Sequence, residues 1–167
     1  MKNLLRKVPA EVTGIASMLR HAGASKVCLV GGSVIDILKG RTPKDFDLEC
    51  FGMPYSAIVT ALSHLNPKEV GAAFGIVIVT INGVDIDINV PRTDNKVGKG
   101  HTGFDVLFDP QMSVAEAARR RDFTMNTLAV DVLTGELHDP FGGLEDLNEG
   151  ILKATDPVLF VQDPLRA

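Results

Sequence analysis

Two aspartates separated by one residue form the clearest chemical signal in the chain. Asp45 and Asp47 flank Phe46 in a predicted β-strand. Successive side chains of a strand point to opposite faces, so the two carboxylates share one side. Like charges held this close repel each other unless a proton or a cation lies between them. The pair therefore predicts a site for a divalent metal ion with oxygen ligands.

A glycine pair precedes the aspartates, between a predicted apolar strand and a short predicted helix. Gly31 and Gly32 allow a tight turn and a close approach of the backbone to a ligand, and Ser33 opens the helix. The first N–H groups of a helix attract anions. A basic loop containing Arg41 and Lys44 connects this helix to the aspartates. This order predicts a phosphate-binding turn next to the metal site.

A second acidic strand follows a predicted β-hairpin. The apolar runs IVIVTI and VDIDINV flank Asn82-Gly83, the dipeptide favoured in a two-residue type I′ turn. Asp85, Asp87 and Asn89 share one face of the second run, which for a hairpin alone indicates a solvated surface. If this strand lies beside the first acidic strand, Asp87 or Asp85 adds a third carboxylate to the same site. We favour Asp87.

A run of arginines follows a capping box. Ser113 and Glu116 have the spacing of that motif, which predicts a helix that starts there and continues through Arg119–Asn126. Asp122 and Asn126, four residues apart, would then be neighbours on one helical face. Arginines beside such a polar pair suit a nucleotide, with arginine on phosphate and Asp or Asn on sugar hydroxyls. A solvated helix face is the alternative.

The segment from Pro91 to Pro110 breaks the periodicity of the preceding strands and contains several glycines and lysines. It is predicted to be a loop. An ordinary surface loop and a basic flap that closes over a polyphosphate or an RNA end are both compatible with this composition.

The composition indicates one soluble domain. A chain of 167 residues, 45% apolar and with a formal charge of −4, can form one core and is unsuited to coating nucleic acid by bulk attraction. Cys28 and Cys50 are too few for a disulfide framework. We find no apolar run that could span a membrane and no signal peptide. We therefore expect a cytoplasmic protein.

Taken in order, these motifs resemble the head domain of class II tRNA nucleotidyltransferases (CCA-adding enzymes) and bacterial poly(A) polymerases. Both belong to the DNA polymerase β-like nucleotidyltransferase superfamily. A lone Gly-Gly or Asp-x-Asp is a weak signal, whereas five motifs in the family's order are specific. The resemblance covers Leu29–Asp36, Gly40–Asp47, Lys96–Phe104, Arg120–Asn126, and Asp139–Gly143 with Asp163–Arg166 at its end.

The resemblance implies an α+β fold, the polymerase β-like palm. We expect a mixed sheet of roughly five strands with helices packed on one face. Residues 1–155 would form the head, and residues 156–167 would begin a neck or linker that is otherwise absent.

The resemblance also implies a function, the metal-dependent addition of CMP and AMP from CTP and ATP to tRNA 3′ ends, or of AMP by a poly(A) polymerase. Its partners would be a nucleoside triphosphate and an RNA 3′ end, with no membrane involved. Two magnesium ions would be the cofactor. The implied metal ligands are Asp45 and Asp47, with Asp87 as the third catalytic carboxylate. The implied nucleotide-binding residues are Gly31, Gly32, Ser33, Arg121, Asp122 and Asn126, supplemented by Arg41, Lys44 and Arg120.

One position departs from the family pattern. Ile35 stands where the family usually carries arginine, which removes a cation from the phosphate-side helix. This favours a second hypothesis, a nucleotide-binding or interaction module that keeps the head fold with weakened turnover. The intact Asp45 and Asp47 pair favours the enzyme. The neck and body that select the base and grip RNA in the family would come from further residues or from a partner chain.

Overall fold

The computed structural model describes residues 4–70, 75–96 and 104–161. Two parts of the predicted motifs, residues 97–103 and 162–167, lie outside the described residues. The described strands are β1 Lys26–Val30, β2 Phe46–Phe51, β3 Lys68–Val70, β4 Ile76–Ile81, β5 Val84–Asn89, β6 Arg92–Lys96, β7 Phe104–Phe108, β8 Ala129–Asp131 and β9 Leu137–His138. The helices are α1 Ala10–His21, α2 Gly32–Leu38, α3 Tyr55–Leu62, α4 Val114–Ala118, α5 Gly143–Glu149 and α6 Pro157–Phe160, with 3-10 turns at Leu4–Lys7, Ser63–Leu65 and Thr124–Thr127.

Within the described residues, seven strands form one mixed sheet in the order β3-β4-β5-β2-β1-β8-β9. Strands β2 and β5 are parallel, and the other neighbours in this sheet are antiparallel. The α+β class is thereby confirmed. The sheet is wider than the roughly five strands expected, because the two short strands β3 and β9 extend its edges.

The main core lies on one face of the sheet, under α1, α2 and α3. Buried residues of α1 and α3, such as Ile15 and Ile58, pack there with Leu29, Leu48 and Ile86 of the sheet. This is the helix layer that was expected.

The opposite face is covered in part by α4. Ala117 of α4 packs there against Cys28 and Val30 of β1. Because strand side chains alternate, this face also carries Asp47, which lies between Phe46 and Leu48 of the main core. The short helix α4 thus adds a second layer beside the acidic residues. Among the described residues, no helix combines the length and the apolar character needed to cross a membrane.

The hairpin of β4 and β5 confirms the predicted turn. Asn82 has φ +52° and Gly83 has φ +80°, so both central residues adopt the positive φ that a type I′ turn requires. The register pairs Ile81 with Val84 and runs to Ile76 opposite Asn89. The turn therefore sets which face of β5 carries its acidic residues.

The prediction of a loop from Pro91 to Pro110 is wrong for ten of its residues. Strands β6 and β7 form a separate two-stranded antiparallel ladder, with Arg92 opposite Phe108 and Lys96 opposite Phe104. Phe108 packs against the main core. The two strands are held together by backbone hydrogen bonds, which do not depend on the side chains. The polar sequence RTDNK of β6 has no alternation of apolar and polar residues, so the periodicity did not predict a strand.

The prediction that the helix after Ser113 continues through Asn126 is also wrong. The capping box is present, with Ser113 Oγ accepting from Glu116 N at 3.2 Å and Glu116 Oε2 accepting from Ser113 N at 2.8 Å. Helix α4 nevertheless ends at Ala118. Asp122 Oδ1 accepts a hydrogen bond from the N–H of Phe123 at 2.8 Å. This local bond competes with continuation of the helix.

Candidate active site

The parallel pairing of β2 with β5 brings the two acidic strands together. In the register, Asp47 lies directly opposite Asp87 and Phe46 lies opposite Ile86. The two acidic strands therefore lie side by side, which was the condition for a third carboxylate at this site. The residue opposite Asp47 is Asp87. Asp45 is exposed and comes immediately before the first residue of β2.

These carboxylates repel one another across the strand ends. Burial raises the pKa of Asp47 above its ordinary value, and Asp87 and Asp45 raise it further, whereas Arg121 opposes the shift. Burial also raises the pKa of Asp87, with added contributions from Asp85 and Asp45. A bound cation would relieve this repulsion and favour the ionised carboxylates.

The glycine turn lies beside Asp47. Gly31 has φ +70°, a conformation that favours glycine, and α2 begins at the next residue. A Cβ atom placed on Gly31 would lie 3.8 Å from Asp47 Oδ2 and 3.7 Å from Arg121 Nη1. The predicted phosphate turn, a predicted metal ligand and a predicted phosphate ligand thus meet at one point.

Ser33 has a local role in the structure. Its side chain is buried, and its Oγ donates a hydrogen bond to the carbonyl oxygen of Val30 at 2.8 Å. The hydroxyl therefore ties the first turn of α2 to the end of β1.

The two arginines that precede Asp122 converge on a buried carboxylate that was not among the predicted site residues. Glu49 accepts from Arg120 Nη2 at 3.4 Å and from Arg121 Nη2 at 3.5 Å. It is only 2% exposed. The signal was available in the sequence, because strand alternation places Glu49 on the same face as Asp47.

Asp122 and Asn126 are neighbours, as predicted, although no helix joins them. Asn126 Nδ2 donates to Asp122 Oδ1 at 2.7 Å. Both side chains are half-buried, and Asn126 lies in the 3-10 turn that follows Asp122. The two side chains meet because the chain turns after α4, and not because they lie one turn apart on a continuous helix.

The two cations of the basic loop are not seen in the same cluster. Arg41 Nε donates to Asp36 Oδ1 at 2.8 Å, at the end of α2. Lys44 is exposed next to Asp45 in the chain. Ile35, the residue that departs from the family pattern, packs against the main hydrophobic core.

The acidic residues offer oxygen ligands of the kind that suits a divalent cation. In the described part of the chain, no group of three or more His, Cys, Asp or Glu side chains is arranged to hold a metal alone. Magnesium is commonly held by one or two carboxylates together with substrate phosphates. Asp47 with its acidic neighbours Asp45 and Asp87 supplies such hard oxygen ligands, beside the Gly31 turn.

Comparison with known proteins gives a consistent result. The chain is 38% identical over 141 residues to the Multifunctional CCA protein of Xanthomonas campestris pv. campestris (strain B100). The aligned region covers 84% of this chain and 33% of that protein. The structure of the Bacillus stearothermophilus CCA-adding enzyme in complex with CTP matches with a TM-score of 0.76 and 29% identity, over 93% of this chain and 36% of that one. The Thermotoga maritima CCA-adding enzyme complexed with tRNA matches with a TM-score of 0.73 and 26% identity, over 99% and 38%.

The present chain therefore spans about a third of the length of the curated relative. The family whose sequence pattern matches is described as the poly A polymerase head domain, and the match runs over residues 27–153. These residues include the Gly31 turn, the acidic strands and the arginines that contact Glu49. The chain belongs to the poly A polymerase head domain family.

Proposed function

We propose that this chain is the catalytic head of an RNA 3′-end nucleotidyltransferase. It would add CMP and AMP from CTP and ATP to tRNA 3′ ends, or AMP as a poly(A) polymerase. The observation that carries the proposal is the register of Asp47 opposite Asp87, with the Gly31 turn and Arg121 next to Asp47. The relatives and solved structures of CCA-adding enzymes support the same reaction.

In this proposal the acidic residues bind magnesium. Asp45 and Asp47, with Asp87 beside them, would hold Mg²⁺, which when bound neutralises the triphosphate and activates the RNA 3′-hydroxyl. The free backbone N–H groups at the start of α2 would bind phosphate oxygens. Because Gly31 has no side chain, the triphosphate can approach this backbone closely.

The arginine side would orient the nucleotide. Arg121 would contact the triphosphate, with Arg120, Arg41 and Lys44 as further cations, and the hydrogen-bonded pair Asp122 and Asn126 would hold the ribose. Catalysis would then consist of positioning and electrostatic stabilisation of an in-line transfer, with pyrophosphate as the leaving group.

Residues 1–155 would form this head, and residues 156–167 would begin a neck. Base selection and RNA grip would come from a neck and body region or from a partner chain, as the curated relative is about three times as long as the matched region. Both cysteines are buried and free, which supports a cytoplasmic location as part of the same proposal.

A second candidate is a nucleotide-binding or interaction module with weakened turnover. The observation that favours it is the packing of Ile35 against the hydrophobic core, because the resemblance implies an arginine there. Such a module would bind a nucleotide with metal and release no pyrophosphate.

The test is incorporation of labelled ATP or CTP onto tRNA that lacks its 3′ end, with Mg²⁺ and the full chain. At high protein concentration, which offsets weak RNA grip by the head alone, we expect extension by the wild type, loss of extension in Asp45→Ala, and no change in Glu145→Ala, a control at an exposed position of α5. Metal-dependent nucleotide binding without any product would support the module instead. Absence of both binding and product at high protein concentration would refute both candidates.

A further inference from the structure

A buried carboxylate lies two residues beyond Asp47 on the same face of β2. Glu49 is 2% exposed, and the register places it opposite Cys28 of β1 and Asn89 of β5. Burying a charged group is costly unless it is paired and hydrogen-bonded. The partners of Glu49 therefore indicate what this position does.

Glu49 divides its two oxygens between two consecutive arginines. Oε1 accepts from Arg120 Nη2 at 3.4 Å, and Oε2 accepts from Arg121 Nη2 at 3.5 Å. The side chains of Arg120 and Arg121 are themselves only 22% and 17% exposed. A single buried carboxylate thus lies between both guanidinium groups, at the long end of hydrogen-bonding distance.

The guanidinium group of Arg121 has two ends with different surroundings. Nη2 faces Glu49, whereas Nη1 lies 3.7 Å from the position that a Cβ of Gly31 would occupy, and Asp47 Oδ2 lies 3.8 Å from that position. Burial lowers the pKa of Arg121, and Glu49 is the main group that opposes this lowering. The carboxylate therefore stabilises a buried cation at the edge of the glycine turn.

We propose that Glu49 is a positioning residue that holds Arg121 with Nη1 directed toward the phosphate groups of a nucleoside triphosphate at the Gly31 turn. This inference rests on the proposed function, since it assumes that a triphosphate binds there. It differs from a purely structural role, in which Glu49 only neutralises buried arginines. A structural role predicts lower stability without a selective effect on triphosphates.

The test is a double-mutant cycle on nucleotide affinity, measured by calorimetry on the full chain with Mg²⁺. Glu49→Gln keeps the size of the side chain and removes its charge, and Arg121→Met removes the guanidinium group. We expect each variant to raise the Kd for ATP about tenfold, as for loss of a hydrogen bond to a charged group. We expect the double variant to be no weaker than Arg121→Met, because Glu49 acts through Arg121.

The matched ligand is AMP, which lacks the β- and γ-phosphates. We expect Glu49→Gln to change the Kd for AMP much less than the Kd for ATP, and we expect Glu145→Gln, an exposed control, to change neither. The thermal midpoint of each variant without nucleotide reports any general loss of structure. If Glu49→Gln does not fold, Glu49→Asp, which keeps the charge and shortens the side chain, takes its place in the cycle.

Three results would overturn the inference: unchanged ATP affinity in Glu49→Gln, equal losses for AMP and ATP, or additive losses in the double variant. If the wild type binds ATP and one of these results is found, only the role of Glu49 fails. If the wild type binds no nucleotide at all, the proposed function fails and the inference fails with it.

Discussion

Asp47 and Asp87 lie on two neighbouring strands of the sheet, whereas Arg121 and Asn126 lie on a segment that belongs to no strand or α-helix. The acidic residues are held by the ladder between β2 and β5, so their backbone positions depend on many repeated hydrogen bonds. The arginine segment, residues 119–127, depends on single contacts with the C-terminal part of the chain.

The backbone contacts of this segment reach Lys153, Ala154 and Thr155. Thr124 N donates to the Lys153 carbonyl oxygen at 2.9 Å, Thr155 N donates to the Asp122 carbonyl oxygen at 2.9 Å, and Phe123 forms an isolated bridge with Ala154. The acidic half of the site, Asp45, Asp47 and Asp87, therefore has charges that repel one another on a backbone held by the sheet. The arginine half, residues 119–127, has paired charges on a backbone that one substitution can displace.

The largest effect is expected for Gly143→Ala, under the arginine segment. A Cβ at Gly143 would lie 2.1 Å from the carbonyl oxygen of Thr124 and 2.6 Å from its carbon, so the backbone must move. We expect the free energy of unfolding to fall by about 3 kcal/mol or more, measured by urea denaturation.

Gly14→Ala is the control for this substitution. Gly14 lies inside α1, and an added Cβ meets nothing within 4 Å. Alanine should stabilise the helix there by up to about 1 kcal/mol. Equal behaviour of the two variants would contradict the tight packing of α5 on the arginine segment.

A smaller effect is expected for Thr124→Val. Thr124 Oγ1 donates to Asp146 Oδ2 at 2.6 Å, and both residues are buried. The substitution leaves a buried carboxylate without this donor, so we expect a loss of about 1–3 kcal/mol in the free energy of unfolding.

The acidic hairpin offers a matched pair for comparison. Thr80 Oγ1 donates to Asp85 Oδ1 at the same distance, 2.6 Å, but this pair is exposed. Water can replace the lost bond there, so Thr80→Val should change the free energy of unfolding by less than about 0.5 kcal/mol. A loss as large as that of Thr124→Val would show that burial does not distinguish the two halves.

The effect expected for Asp47→Asn is also small, and its sign is opposite. The pKa of Asp47 is raised in the folded state, so its charge destabilises the fold once the pH has risen through the folded pKa. We expect the variant to have a Tm a few degrees above the wild type at pH 7, without metal. The difference should vanish below about pH 3, where Asp47 is protonated in both states.

Glu116→Gln is the control of opposite sign. Hydrogen bonds from Ser113 lower the pKa of Glu116, so its charge stabilises the fold at neutral pH and this contribution is lost as the pH falls. Its Tm should lie below that of the wild type at pH 7.

Added Mg²⁺ should raise the Tm of the wild type more than that of Asp47→Asn, and an equal rise would argue against metal binding at Asp47.

The acidic half of the site was predictable because its signals are local. Alternation along a strand predicts Asp45 and Asp47 on one side, although β2 begins only at Phe46, and Asn82-Gly83 determines the turn that orients Asp87. The same alternation places Glu49 on the face of Asp47, but the sequence does not indicate which cations this carboxylate meets. Arg120 and Arg121 follow it by about seventy positions, and no local pattern connects them.

The arginine half was predicted with correct neighbours and a wrong backbone. Periodicity after the capping box favoured a continuous helix, but α4 ends at Ala118. The N–H groups of Phe123 and Thr124 bond to Asp122 and to Lys153, and the latter lies about thirty residues further along the chain. Local propensity cannot predict such partners, because the competing bond forms only after the chain has folded.

The sequence by itself determined strands β1, β2, β4 and β5, the type I′ turn, the capping box and the acidic and glycine motifs, because each depends on residues within one turn or one strand. The tertiary structure decided that β2 and β5 lie side by side in parallel, which places Asp47 opposite Asp87. It also decided that Glu49 meets Arg120 and Arg121 and that Arg121 reaches Gly31. These contacts join distant parts of the chain, so their geometry depends on the packing of the whole fold.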